Sequence, residues 1–405
     1  MSSTHVDALA RLTTALFLLT AIAGCQFEPT GQVPGDGTPV DSRPPIDGRP
    51  PIDGQLPTDG RLPIDGPPVD DVDATVSRQR WKQITIDRSK VRTPPGGLAN
   101  FPVLFTVVDP DIAGRASADG SDIYFVAADG VTRLDHEIEK WNQGTGQLVA
   151  WVKLPSLPSS ADTVFYVYYG DPAAANPEAP ADVWTSNFVA VWHLAEQPRT
   201  VMVDSTTGND GTPHSSMQPS DRVSGQIGDA TDFDGVDDEI TFTNPISGTT
   251  PHTISAWVNQ RATTSQDALV VLGNGETNRA RWLHSVYFGN TVAVGFYNND
   301  WNTGIDIRDD GWKLLHWTYT NRDNVFYVDG VQQGAMRLAS GVDTQGTDGL
   351  LGNAPAAFGA NMNLNGQLDE VRIATVVRPA EWILTEFNNQ SDPSSFYTVG
   401  PETAP

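Results

Sequence analysis

The stretch LDHEIEKW sets Asp135, Glu137 and Glu139 at alternating positions, and alternate residues of a β-strand project from one face. Paired carboxylates of this kind can run retaining glycoside hydrolysis, one as nucleophile and the other as acid, when the carboxyl groups stand about 5 to 5.5 Å apart. Neighbouring residues on one strand face can reach that spacing, so geometry admits the chemistry. The surrounding sequence favours a solvated strand face ending at Trp141. The seven histidines show no metal-ligand spacing, and His193, next to Trp192 in a strand pattern, reads as a core or edge residue rather than a base. There is no nucleophile elbow, P-loop or dinucleotide fingerprint. A catalyst is therefore not expected.

Binding chemistry has better material in GFYNNDWNTG, where Tyr297, Asn299, Asp300 and Trp301 occur in a loop pattern. Aromatic rings stack on sugar faces while amides and carboxylates take the hydroxyls. The alternative is that Trp301 packs over the end of a sandwich. Trp257 and Trp317 lie in apolar strand patterns and read as core. The most acidic patch, with FDGVDDEI as its core, carries Asp232, Asp234, Asp237, Asp238 and Glu239. It reads as a tight turn around Gly235, with a metal site as the weaker alternative.

These side chains need a scaffold, and the chain from Trp81 onward is a series of short β-branched and aromatic runs separated by Gly, Pro, Asn and Asp, the all-β signature. Six candidate strands precede Pro172, DPAAANPEAPAD reads as a connection, and a second series of strands follows. One short helix is expected in PAEWILTEFNNQ. With 25 Lys and Arg against 50 Asp and Glu, the formal net charge is -25, which repels phosphate backbones and argues against nucleic-acid binding.

The N-terminal part is different in kind. Leu12 to Ile22 is an apolar run preceded by Arg11, the pattern of a secretory signal and too short to span a bilayer. Residues 26 to 75 are rich in Pro, Gly and Asp, including the repeat RPPIDG RPPIDG QLPTDG RLPIDG. Such a segment reads as a disordered, semi-rigid spacer. The only cysteine, Cys25, closes Ile22-Ala23-Gly24-Cys25, which resembles the bacterial lipobox. That resemblance implies a diacylglycerol on Cys25 and, with Gln26 rather than Asp following, an outer-membrane destination.

Two family resemblances cover most of residues 80 to 400. FPVLFTV, SDIYFVAADG, LDHEIEKWN, VAWVKLPSL and VFYVYYGD resemble the bacterial domain-of-unknown-function 2341 family. VWHLAE, VDSTTGNDGT, GQIGDATDFDGVDDEITF, HTISAWV, NVFYVDG and GQLDEVRI resemble bacterial laminin-G-like, concanavalin-like domains, whose fold is a two-sheet jelly roll. The second resemblance implies one structural calcium ion near the sandwich rim. The matching ligand positions are Asp204 and Asp369, with Asn209 and Gly211 as carbonyl donors. The alternative is that Asp204 caps a turn and Asp369 pairs with Arg372.

The expected organisation is a signal peptide (1–24), a lipidated Cys25 with its linker (25–78), a first β-sandwich (79–178) and a laminin-G-like jelly roll (179–405). The fold class is all-β, with two antiparallel sandwiches. The expected function is that of an envelope lipoprotein, not an enzyme, that binds a glycan or a cell-surface or matrix protein. A structural or scaffold lipoprotein is the alternative, and a glycoside hydrolase rests on the carboxylate ladder alone.

Overall fold

The computed structural model describes residues 79–171, 173, 178–355, 358 and 362–404. The signal peptide, Cys25 and the proline-rich repeats lie outside the described residues. The described strands form four sheets.

The first sandwich pairs a five-stranded with a three-stranded antiparallel sheet. The five-stranded sheet runs in the order Tyr397–Val399, Arg80–Ile86, Thr163–Tyr169, Tyr124–Ala127, Arg133–Leu134, and the three-stranded one in the order Leu98–Val108, Gln147–Leu157, His136–Asn142. In Thr163–Tyr169, buried Phe165, Val167 and Tyr169 alternate with half-buried Val164, Tyr166 and Tyr168. That alternation turns the first set inward onto Ile84, Phe105, Phe125 and Leu148, leaving the other face outward.

The second sandwich pairs an eight-stranded with a seven-stranded sheet. The eight-stranded sheet is centred on Asn365–Ala374, His252–Gln260 and Trp312–Thr320, and Phe188–Trp192 also pairs with Asn365–Ala374. The seven-stranded sheet is centred on Ala280–Val286, Asp267–Gly273 and Asp348–Leu351. Their inner faces meet through Trp192, Ile254, Val258, Leu272, Leu283, Trp317 and Phe326. His252–Gln260 is buried along nearly its whole length, because its other face is covered too. There Trp257, Val191 and Leu314 pack against Leu104, Val149 and Trp151 of the three-stranded sheet. The two sandwiches are thus stacked as four sheet layers within one compact unit.

The domain boundary expected from the sequence needs correction at its C-terminal end. The helix Ala380–Ser391 lays Trp382 4.7 Å from Phe101, centroid to centroid. Asn389 brackets the Leu104 backbone, accepting from its N–H at 2.7 Å and donating to its carbonyl at 3.0 Å. The strand Tyr397–Val399 then pairs with Arg80–Ile86, Ile84 opposite Val399. Tyr397–Val399 therefore belongs to the first sandwich, and the helix Ala380–Ser391 bridges the two, Gln390 accepting from Trp257 Nε1 at 2.7 Å. The physical reason is an edge: without this strand, Arg80–Ile86 would present unpaired backbone groups.

Candidate functional site

The carboxylate ladder faces the second sandwich rather than solvent. Asp135 remains half-exposed, paired with Lys153 at 2.6 Å. Past it, the pairing with Gln147–Leu157 shifts register between Ile138 and Lys140, an irregularity of the kind that re-aims side chains. Glu137 accepts from Trp184 Nε1 at 2.7 Å and from Ser205 Oγ at 2.6 Å. Glu139 accepts from Trp151 Nε1 at 3.0 Å.

His193 stands between these groups and the second sandwich. Its Nε2 lies 3.2 Å from Glu137, and its Nδ1 lies 2.7 Å from Glu370 and 3.6 Å from Glu139. Arg372 continues the chain of charges, reaching Glu370 at 2.5 Å and Glu386 at 2.8 Å. His316 lies 3.3 Å from Glu386, and Trp382 and Gln390 also donate to that carboxylate. The network thus ties together both sandwiches and the C-terminal helix.

Its electrostatics follow from burial set against charge. Burial alone would lift Glu137, but the His193 charge and the bonds from His193, Ser205 and Trp184 bring it down to about 2. Burial would lower His193, yet Glu370 and Glu137 hold it well above its ordinary value. Glu139 goes the other way: burial, reinforced by the negative charge of Glu370, pushes it up to about 8. Asp369 is also raised, by burial and then by Glu370 and Glu139. Burial opposes ionisation of Glu386, but His316, Arg372 and Arg378 bring it down to about 2.

This arrangement corrects the expectation of a solvated strand face for Glu137 and Glu139, whose side chains are only 12 % and 2 % exposed. One atom from each of Glu139, His193 and Glu370 falls within 4.8 Å of the others. Arg372 and the imidazole already supply positive charge there, so the group forms an ion network. The sequence signal that could have found it is the run of charges DEVR inside the strand pattern LDEVRIA, since a charged pair in a buried strand requires partners.

Each of the expected calcium ligands makes protein hydrogen bonds. Asp204 ties its own turn to the strand Phe188–Trp192, Oδ1 accepting from Val191 N and Thr206 N and Oδ2 from Asn209 N. The Asn209 carbonyl accepts from Trp192 Nε1, and the Gly211 carbonyl from Met202 N. Asp369 accepts from Ile227 N, and Arg372 is engaged by Glu370 and Glu386 instead. Among the described residues, neither aspartate joins a group of three carboxylate or imidazole ligands. Asp369 Oδ1 is buried without a hydrogen-bond partner, while a calcium ion needs six to eight converging oxygens. FDGVDDEI forms a turn: Asp234 Oδ1 accepts from Val236 N at 2.7 Å, and Gly235 adopts φ +80°.

The aromatic loop splits between two places. Trp301, on Trp301–Asn302, packs against the inner core of the second sandwich beside Gly334. Tyr297 lies on the outer face of the seven-stranded sheet, its ring 5.4 Å from Trp282 and 5.2 Å from Phe358. Trp282 is 5.9 Å from Tyr287, which is 4.7 Å from Phe288. Asp300 fixes this apron from below, accepting from Trp282 Nε1 at 2.8 Å and Phe296 N at 3.1 Å. The turn that brings it there has left-handed Tyr297 and Asn298. Asn298 donates to Thr277 and Asn299 to Ser340 at the rim. Phe288 is 66 % exposed, so the apron ends at solvent. Sequence reading missed Trp282, Tyr287, Phe288 and Phe358. The aromatic pair in SVYFGN, at a strand end before a Gly-Asn turn, was the available signal.

Among solved structures, the chain is similar to domain 4 of a GH43 extracellular arabinanase from Geobacillus stearothermophilus in complex with arabinotriose, at 17% identity over 50% of this chain and 98% of that one, with a TM-score of 0.39. It is also similar to the binding domain of Paraclostridial Mosquitocidal Protein 1, at 15% identity over 52% of each chain, TM-score 0.40. Trypanosoma rangeli sialidase in complex with sialic acid aligns at 13% identity over 63% of this chain and 42% of the sialidase, TM-score 0.40. No curated protein matches the chain. Residues 119–189 match the family model of a domain of unknown function, DUF2341, and residues 233–384 match that of the concanavalin A-like lectin/glucanases superfamily, laminin-G type, so the chain carries the first kind of domain directly ahead of the second.

Proposed function

We propose that the chain is a non-catalytic envelope lipoprotein whose concanavalin-like sandwich binds carbohydrate on an aromatic apron whose open rings are Tyr287, Phe288 and Tyr297, seated on buried Trp282 and Phe358. The observation that carries this reading is the continuous ring path from buried Trp282 to exposed Phe288, edged by Asn298 and Asn299. A sugar face can stack on the rings while the amides and backbone take its hydroxyls. The diacylglycerol proposed on Cys25 would hold the domains to the outer membrane, with a second acyl chain making attachment stable.

A scaffold role is the second reading, and the interlocking of the two sandwiches through the buried ion network favours it. A rigid body of that kind suits docking on neighbouring envelope proteins.

A glycan-array screen of the purified protein, with calcium and again with chelator, decides between the two. Binding to a defined sugar class that is lost in Tyr297→Ala and Phe288→Ala is expected, and chelator should leave it intact. A folded protein with no array binding under either condition would favour the scaffold.

A further inference from the structure

The first sandwich carries an aromatic surface of its own, on the side facing away from the second sandwich. Trp81, Tyr168 and Tyr124 occupy directly paired positions on three neighbouring strands, Trp81 opposite Tyr168 and Tyr168 opposite Tyr124. The alternation of Thr163–Tyr169 sends Tyr166 to the same face, where its ring meets Trp81 edge-on at 5.2 Å. Ring centroids along the row are 6.4 Å apart between Trp81 and Tyr168 and 5.3 Å between Tyr168 and Tyr124, the last two within 10° of parallel.

Cross-strand aromatic pairs stabilise a sheet whatever else they do, so the row alone is not a site. Its surroundings add to it. Trp81, Tyr124 and Tyr168, with Gln79, Val131 and Arg133, line a cleft of about 320 Å³. The Arg133 guanidinium carbon lies 4.0 Å from the centre of the Tyr124 ring. Arg133 is exposed, and in a chain of net charge -25 it has no ion pair with any described residue. Gln79 donates to the Tyr124 hydroxyl. The cleft therefore combines the half-buried rings of Trp81 and Tyr168 with an exposed guanidinium seated over buried Tyr124 at one end.

We infer that this cleft binds a saccharide chain, with a pyranose ring packed on the half-buried Trp81 and Tyr168. Arg133, whose guanidinium covers the buried Tyr124 ring, donates to hydroxyl or carboxylate oxygens of the sugar beside it. The site is separate from the apron of the second sandwich and does not depend on it.

The test is affinity gel electrophoresis of the purified full chain in gels containing laminarin, xylan, mannan or polygalacturonate, followed by calorimetry on the retarding polymer. Trp81→Ala and Tyr168→Ala should each weaken binding by at least about tenfold, as loss of a stacking anchor does. Tyr297→Ala, on the other sandwich, should leave this binding unchanged. Arg133→Gln keeps the fold and removes the charge, so it checks the donor role even if an aromatic variant folds poorly. A greater loss in Arg133→Gln on polygalacturonate than on a neutral polymer identifies a carboxylate beside Arg133, and an equal loss identifies hydroxyls. Retardation by none of the four polymers overturns the inference. So does retardation that survives unchanged in folded Trp81→Ala, Tyr168→Ala and Arg133→Gln proteins.

Discussion

The guanidinium carbon of Arg372 lies 4.3 Å from the centre of the Trp151 ring, although Trp151 belongs to the first sandwich and Arg372 to the second. The same guanidinium lies 4.7 Å from the Trp184 ring and holds Glu370 and Glu386. One cation thus lies over aromatic rings of one layer while neutralising carboxylates of another layer and of the C-terminal helix. A cation over a desolvated ring adds to the attraction, and the geometry ties the layers together at a single point.

Arg372→Ala removes that point and leaves two buried carboxylates without their cation. Breaking a buried ion pair from one side costs about 3 to 5 kcal/mol. Urea unfolding should show a loss of that order. A loss no larger than that of a surface substitution would mean that the network does not hold the layers together.

Stability should also fall between mildly acidic and mildly alkaline pH. An unfolded glutamate loses its proton near 4.5, whereas native Glu139 keeps it to about 8. Between these values the native state binds the extra proton, so stability declines as pH rises. His193 acts in the same sense: its contribution is full below its ordinary 6.5 and is lost as pH rises through its raised native value. Glu137 acts oppositely, contributing above 4.5 and losing its share as pH falls toward about 2. Glu139→Gln mimics the protonated acid, so melting temperatures measured from pH 5 to 8 should decline less steeply in this variant. An unchanged slope would assign the decline to other groups.

The strands were legible because alternation in TVFYVYY and the apolar runs of HTISAWVNQ and ALVVLG record burial directly. The fate of the carboxylate ladder was not legible. A strand pattern says that Glu137 and Glu139 share a face, but not that another sandwich covers it. The short strands Thr212–Pro213 and Tyr397–Val399 carry too few residues for a period to show. The role of the C-terminal helix was hidden for a different reason: its partners Phe101 and Leu104 lie almost 300 residues earlier in the chain.

That distance gives a further prediction. Trp382 is 5 % exposed and packs in the core of the first sandwich. Trp382→Ala should cost about 3 to 5 kcal/mol, the usual penalty for deleting a large buried ring. Hydrogen exchange should rise first in Leu98–Val108, whose Leu104 backbone is held by the same helix. Faster exchange confined to residues 240–360 would contradict the packing of Trp382 in the first sandwich.

The anchor proposed on Cys25 can be checked apart from any ligand. Wild-type protein should incorporate labelled palmitate and sediment with outer membranes, and Cys25→Ser should do neither. Equal membrane recovery of the two proteins would remove the lipid from the account.

The split of the loop GFYNNDWNTG predicts two different phenotypes from neighbouring aromatic residues. Trp301 packs against the inner core beside Gly334, where a Cβ would already meet its ring at 2.9 Å. Trp301→Ala should therefore lower the melting temperature while leaving any sugar affinity of the folded fraction close to that of wild type. Tyr297 is half-buried on the outer face, with its ring against Trp282 and Phe358. Removing its ring opens one step of the path between Trp282 and Phe358, so affinity for an array-identified sugar should fall by about tenfold or more. The stability loss should be the smaller of the two, because Tyr297 packs only on the outer-face cluster whereas Trp301 packs against the main inner core. Calorimetric melting and titration of both variants separate these effects. If Trp301→Ala loses binding while Tyr297→Ala keeps it, the recognition surface lies on the Trp301 side of the loop and the apron is packing alone.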